Sequence, residues 1–235
     1  LIMSKKTNAT KWICIEGGDG TFKSTTTAKL VEALTAAGYK VLHTKEPGVD
    51  HLPITMTLRD LALNSKHAEF VNDAARSHLM QAIREIHMSA LIQRHGHEYD
   101  YIIQDRGILS GHIYERANPP SDAIFVPKLH TMRYDKIFIL RNRLGGVGVA
   151  REAKVEFSGG VDVIEARDTR FHDTIDELFY TFAQMEQKDG FVLDHDQSCM
   201  FSNSRSIEVE LLNVLDDQDT PLSSEELVRK IMLGL

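Results

Sequence analysis

The feature that most constrains this chain is a change of pattern between residues 11 and 38. Lys11-Trp-Ile-Cys-Ile-Glu16 is a short apolar run, the mark of a strand buried on both faces. It breaks at Gly17-Gly18-Asp19-Gly20-Thr21-Phe22-Lys23-Ser24-Thr25. A Thr-, Ala- and Leu-rich stretch follows over 23–37 and stops at Gly38, a helix C-cap signal. A strand passing through glycines into a helix opens a βα unit. Glycines let the backbone wrap closely around an anion with its N–H groups pointing inward, and the helix adds its positive N-terminal end. Lys23 supplies a point charge for the β- and γ-phosphates of a nucleotide such as ATP, and Ser24 a hydroxyl for Mg²⁺. Gly17, Gly18, Asp19, Gly20, Thr21, Phe22, Lys23, Ser24 and Thr25 are therefore the expected phosphate-binding set. The pattern G-x-x-x-x-G-K-[ST] is broken once, because Phe22 stands where glycine precedes the lysine. The bland alternative is a Gly-rich turn that holds no ligand.

Strands and helices alternate along the rest of the chain. Strands are expected at 40–44, 99–104, 135–140 and 191–194, and helices at 54–64, 70–95, 107–117, 122–133 and 163–188. Pro53 suits the first position of its helix. Residues 144–161 carry several glycines and charges and read as a mobile lid. Two last helices are expected at 203–216 and 223–233, the second opened by Ser223-Ser224-Glu225-Glu226. This order predicts an α/β fold of three layers, with a central parallel five-stranded sheet between helices. Ligands of such sheets sit beyond the carboxyl ends of the strands. The domain core is expected over 11–200, with 201–235 as a helical extension of it.

The bulk properties exclude several classes. A net charge of −7 argues against a nucleic-acid polymer as partner, which would need a basic face. No apolar run approaches the roughly 18 residues of a membrane span, and no signal-peptide pattern opens the chain. Leu1 and Ile2 precede Met3 and read as a scar or upstream read-through. The two cysteines, Cys14 and Cys199, are far apart and suit a reducing cytoplasm. Eleven histidines show no metal-ligand spacing such as H-E-x-x-H.

Several downstream motifs resemble those of thymidylate kinases, in that family's order from residue 11 to about 195. Thr44-Lys45-Glu46-Pro47-Gly48 resembles its Thr-Arg-Glu-Pro-Gly turn, and Asp105-Arg106 with Ser110 its Asp-Arg-Tyr…Ser stretch. Tyr114-Glu115 falls where the family has Tyr-Gln, Arg76 where it carries an Arg on the third helix, and Asp162-Val-Ile-Glu165 where its lid ends, with Phe171 beyond. Phe22, Lys45, Gly107, Glu115 and Val163 depart from the pattern and mark a distant member, such as a viral one acting in the host cytoplasm.

The resemblance implies a P-loop kinase that moves the γ-phosphoryl of ATP to a deoxynucleoside monophosphate, with dTMP the best fit. It implies a catalytic set of Lys23, Asp105, Arg106 and the lid's Arg151. Arg106 would fork onto the acceptor's phosphate. Asp19, Lys45, Glu46, Pro47, Phe70, Arg76, Ser110 and Tyr114 would complete the acceptor site. Ser24 and Asp105 would hold Mg²⁺, the latter through water; Asp105 also suits an N-cap. Phe70 would stack on the base or belong to the core. A homodimer packed through the helices around 54–95 is also implied. The open alternatives are another or modified nucleotide as acceptor, a nucleoside kinase, and a non-catalytic nucleotide binder disabled by Phe22.

Overall fold

The computed structural model describes residues 9–117, 134–142, 163–164, 166–189 and 207–235. The expected lid at 144–161, the helix at 122–133 and the strand at 191–194 lie outside them. Strand β1 (Lys11–Gly17) leads through the Gly-rich loop into helix α1 (Lys23–Ala36). Strand β2 (Val41–Lys45) follows, then α2 (Pro53–Leu63), with Pro53 in its first turn, and α3 (Asp73–His87). The Asn72 side chain accepts from the Ala75 N–H at 2.9 Å and caps α3. Its path continues through a wider π-helical turn at Met88–Ile92. Strand β3 (Tyr101–Asp105), helix α4 (Ile108–Ala117), strand β4 (Lys136–Arg141) and helix α5 (Thr169–Asp189) come next. Strand β5 (Glu208–Asn213) and helix α6 (Ser224–Gly234) finish the chain.

The five strands form one sheet in the order β2-β3-β1-β4-β5, and every pairing is parallel. Alternate residues of β1 face opposite sides. Trp12 and Cys14 join a core with residues of α4 and α5. Ile13 and Ile15 join a second core against α1 and α6. Burial on both faces explains why β1 reads as a continuous apolar run. The carboxyl ends of β1, β2 and β3 are aligned, since Ile15 and Lys45 both pair with Asp105. The phosphate loop, the Lys45–Gly48 turn and Asp105-Arg106 thus open on one edge.

The C-terminal segment corrects the expectation. Residues 203–216 were to be helical and 201–235 a helical extension; instead Glu208–Asn213 is the fifth strand. The spacing Leu211, Leu212, Val214, Leu215 imitates a helix. The open edge of β4 decides otherwise, because pairing there buries Val209 and Leu212 and satisfies the backbone groups along that edge of β4. Helix α6 is as expected, with a capping box between Ser223 and Glu226.

Candidate active site

The loop folds as its glycines require. Gly17 has φ +138°, and a Cβ there would lie 2.2 Å from the Leu140 carbonyl oxygen of β4. Gly20 also lies in the left-handed region, at φ 79°. Phe22 does too, at φ 61° and ψ 17°, and it immediately precedes α1. The motif's usual glycine is therefore a conformational requirement that this chain meets with a side chain. Left-handed backbone costs an ordinary residue about 1–2 kcal/mol, and the ring is not repaid by deep burial, since 39% of the residue stays exposed. Phe22→Gly is expected to raise the stability of the ligand-free protein by about 1 kcal/mol, or roughly 2–4 °C in Tm. Thermal unfolding checks this; an unchanged or lower Tm would show that the ring's contacts outweigh the strain.

Lys23 is buried, and its Nζ donates to the Gly18 carbonyl and to the Thr21 hydroxyl. Burial pulls its pKa down to about 7, Arg106 adds repulsion, and the carboxylates of Asp19, Asp105 and Glu16 offset part of this. An ammonium so poorly solvated is ready for an anion. Ser24 Oγ donates to Asp105 Oδ2 at 2.6 Å. Asp105 Oδ1 is buried with no hydrogen-bond partner among the described residues. An orphaned carboxylate oxygen beside a hydroxyl is a donor set that fits a hard cation keeping several waters.

Arg106 is the hub. It has φ 61°, and its backbone N–H donates to the Ile15 carbonyl at 2.9 Å, which ties the turn to β1. Nη1 donates to the Gly17 carbonyl at 3.1 Å and to Ser110 Oγ at 3.2 Å, and Nη2 donates to Asp19. Tyr114 donates its hydroxyl to Asp19 Oδ2 at 3.0 Å. Glu16, at the end of β1, accepts from the N–H groups of Gly107 and Ser110 and from the Ser110 hydroxyl at 2.5 Å. It thereby anchors the start of α4 to the loop, and burial raises its own pKa.

Glu46 is fixed from behind. Arg84 Nε donates to its Oε2 at 3.0 Å, and His87 Nδ1 lies 3.2 Å from its Oε1. Burial works against the charge, but Arg84 and His87 outweigh it and the carboxyl pKa is lowered. A carboxylate only accepts, so Nδ1 carries a proton toward Glu46, while Nε2 and the Thr44 hydroxyl share a hydrogen bond of 2.7 Å. The Glu46–Pro47 bond is cis, and Arg59 donates to the Pro47 carbonyl at 2.7 Å.

These groups surround one cavity of about 690 Å³. Asp19, Gly20, Thr21, Phe22, Lys23, Ser24, Thr25, Lys45, Glu46, Pro47, Arg76, Asp105, Arg106, Ser110 and Tyr114 all line it. Gly17 and Gly18 sit behind the lining as loop backbone. Lys45 pairs with Asp50 at 2.9 Å on the rim. Arg76 is buried and partly committed, since Nε donates to the Ala62 carbonyl and its other nitrogens to Asp73 and the Val71 carbonyl. Phe70 is neither core nor lining; it is 80% exposed in the segment before α3. Arg151 lies outside the described residues. Arg59, Arg84 and Glu115 also line the cavity, and sequence reasoning named none of them as site residues. The available signal was Arg84 and His87 beside Ile83 on the buried face of α3, where polar side chains need partners.

The pattern of the family described as "Thymidylate kinase" matches residues 15–205, most of the chain. The chain belongs to the thymidylate kinase family. It is 28% identical over 189 residues to the thymidylate kinase of Caulobacter vibrioides, covering 79% of this chain and 88% of that one. It is 27% identical over 192 residues to that of Magnetococcus marinus, covering 80% and 89%. A crystal structure of thymidylate kinase from Ehrlichia chaffeensis shares the fold with a TM-score of 0.61 and 16% identity, over 96% of this chain and 98% of that one. As a family member the chain is a nucleoside monophosphate kinase, and the family uses ATP as phosphoryl donor. Among thymidylate kinase motifs, the glycine at 107 has a local cause here. A Cβ on Gly107 would lie 2.2 Å from the Tyr134 hydroxyl oxygen, so an aromatic from the start of β4 fills the space. No described helix is long and apolar enough to cross a membrane.

Proposed function

We propose that this chain transfers the γ-phosphoryl of ATP to dTMP, giving dTDP and ADP. The observation that carries this is the single cavity joining the Lys23 loop to Arg106, Glu46 and Tyr114. A donor's phosphates fit the loop and α1 N-terminus at one end, and an acceptor's phosphate fits the Arg106 fork beside it. Phosphoryl transfer asks mainly for two anions to be aligned and their charge neutralised. Lys23 binds the β- and γ-phosphates. Arg106 orients the acceptor's phosphate, and Asp19 and Tyr114 border the sugar. Ser24 and Asp105 would hold Mg²⁺, which supplies charge neutralisation between the phosphates when bound. Arg151 of the lid remains the proposed further cation. The exposed apolar side chains of Ile54, Leu61 and Phe70 support a homodimer packed through α2 and α3, and the reading places the enzyme in the cytoplasm.

An ADP-release assay with MgATP and a panel of deoxynucleoside monophosphates tests the proposal. dTMP should be the best acceptor. If none of the four, nor their common modified forms, is phosphorylated, the reading fails. One observation favours a shifted base preference as the second reading. Glu115 lines the cavity where the family has Gln, and burial raises its carboxyl pKa, so its donor and acceptor pattern differs from that of an amide.

A further inference from the structure

The Arg106–Asp19 pair sets a conflict that this reaction must resolve. Arg106 is the cation assigned to the acceptor's phosphate, yet its Nη2 already donates to Asp19. That pair is well shielded, with the Arg106 and Asp19 side chains 17% and 14% exposed. A phosphate that takes the fork draws Arg106 away from Asp19 and sets a second anion beside that carboxylate. A shielded carboxylate in that position needs another donor.

The structure places an unused one beside it. His172, on the first turn of α5, is 2% exposed. Neither ring nitrogen has a hydrogen-bond partner among the described residues. Buried polar atoms without partners are rare and costly. Nδ1 stands 3.7 Å from Asp19 Oδ2, just beyond hydrogen-bond reach. The ring lies edge-on to Phe171 with centroids 5.4 Å apart, and Phe171 in turn lies edge-on to Tyr114. Tyr114 already donates to the same carboxylate oxygen. His172 does not line the cavity, so it meets Asp19 from behind and leaves the substrate's side open.

We infer that His172 is a positioning residue of the acceptor site: it receives Asp19 when the acceptor's phosphate displaces that carboxylate from Arg106. The inference rests on the kinase reading above. A shift of under 1 Å brings Nδ1–H and the carboxylate into bonding range, and a neutral ring protonated on Nδ1 suffices, so no net proton is needed. The exchange gives Asp19 a replacement for its Arg106 contact, beside the Tyr114 hydroxyl that it keeps. Its effect falls on acceptor binding, because the one loop residue it approaches is Asp19, the partner of Arg106, and His172 does not line the cavity.

Imidazole ¹⁵N NMR of the wild-type protein, titrated with dTMP, reads the exchange directly. The His172 Nδ1 signal, assigned by its loss in His172→Phe, should move to a hydrogen-bonded position as dTMP saturates. In steady-state assays His172→Phe should raise the KM for dTMP roughly tenfold with kcat changed less than about threefold. Its ADP-induced thermal shift should match that of the wild type. His172→Gln, which keeps a donor, should recover most of the loss. An unmoved Nδ1 signal at saturating dTMP overturns the inference, as does a wild-type KM in His172→Phe. Equal losses in both variants together with weakened ADP binding would mark His172 as a packing residue and also overturn it. Turnover by the wild type separates the two layers. Normal turnover with a still Nδ1 signal removes only the exchange, whereas no turnover of any nucleotide removes the kinase reading and the exchange with it.

Discussion

Lys23→Met should lower kcat by on the order of 10³-fold while leaving the ligand-free protein at least as stable as the wild type. The two effects have one origin. Lys23 is 6% exposed and leans on the Gly18 carbonyl. Its charge is costly when buried beside Arg106, which is why its pKa falls to about 7. Bound phosphates turn that cost into attraction. Methionine has similar length and no charge, so it removes the proposed catalytic cation and the burial penalty together. The pH dependence follows from linkage. Between about pH 7 and the ordinary lysine pKa of 10.5 the unfolded chain binds the proton more tightly than the folded one. This residue's contribution to wild-type stability therefore rises with pH across that window and is lost as pH drops through about 7. The variant's thermal advantage should be greatest near pH 7 and below and should shrink toward pH 10. Turnover assays and melts at several pH values check both halves; a variant that keeps activity within tenfold of the wild type would remove Lys23 from the mechanism.

Arg106→Lys should reduce kcat/KM for dTMP by about 10²-fold, or ~2.7 kcal/mol of transition-state stabilisation, with ADP binding nearly unchanged. The guanidinium makes three separate contacts, to Gly17, Ser110 and Asp19. Burial disfavours its charge, but Tyr114, Asp19, Asp105 and Glu16 outweigh this and hold it protonated. A lysine at the same charge cannot span those directions in one plane or present two parallel donors to a phosphate. Acceptor titrations with separate ADP melts decide the matter. An equal loss of ADP affinity would place Arg106 on the donor's side and defeat the proposed role.

The loop and the strands near it were legible because their signals are local. The apolar run of β1, the glycines and Lys23-Ser24 lie next to one another, and each reports its own backbone need. Phe22 was legible as a departure, but its left-handed backbone was visible only in the structure. What failed depended on distant partners. Residues 207–215 alternate at Ile207, Val209 and Leu211 and then space their apolar groups like a helix; β4's open edge settles the ambiguity. Glu46 was readable from its turn, but Arg84 and His87, which hold it, arrive from α3 and needed the packed helix to be seen. Phe70 looked apolar enough for a core or a base. It falls instead on an exposed turn between α2 and α3, outside either helix's buried face.

The position of β1 in the sheet has a consequence for how the chain is made. β1 and its loop are translated before the strands that flank them, yet β1 is the central strand, paired with Tyr101–Asp105 on one side and Lys136–Leu140 on the other. On the ribosome it must wait, with both edges open, until β3 and then β4 emerge. Long-range parallel pairing of this kind is slow and leaves apolar edges exposed. The nascent β1-α1-β2 segment is therefore the stretch with most need of a holding chaperone, and the phosphate loop takes its working shape only after β3 and β4, made later, have paired with β1.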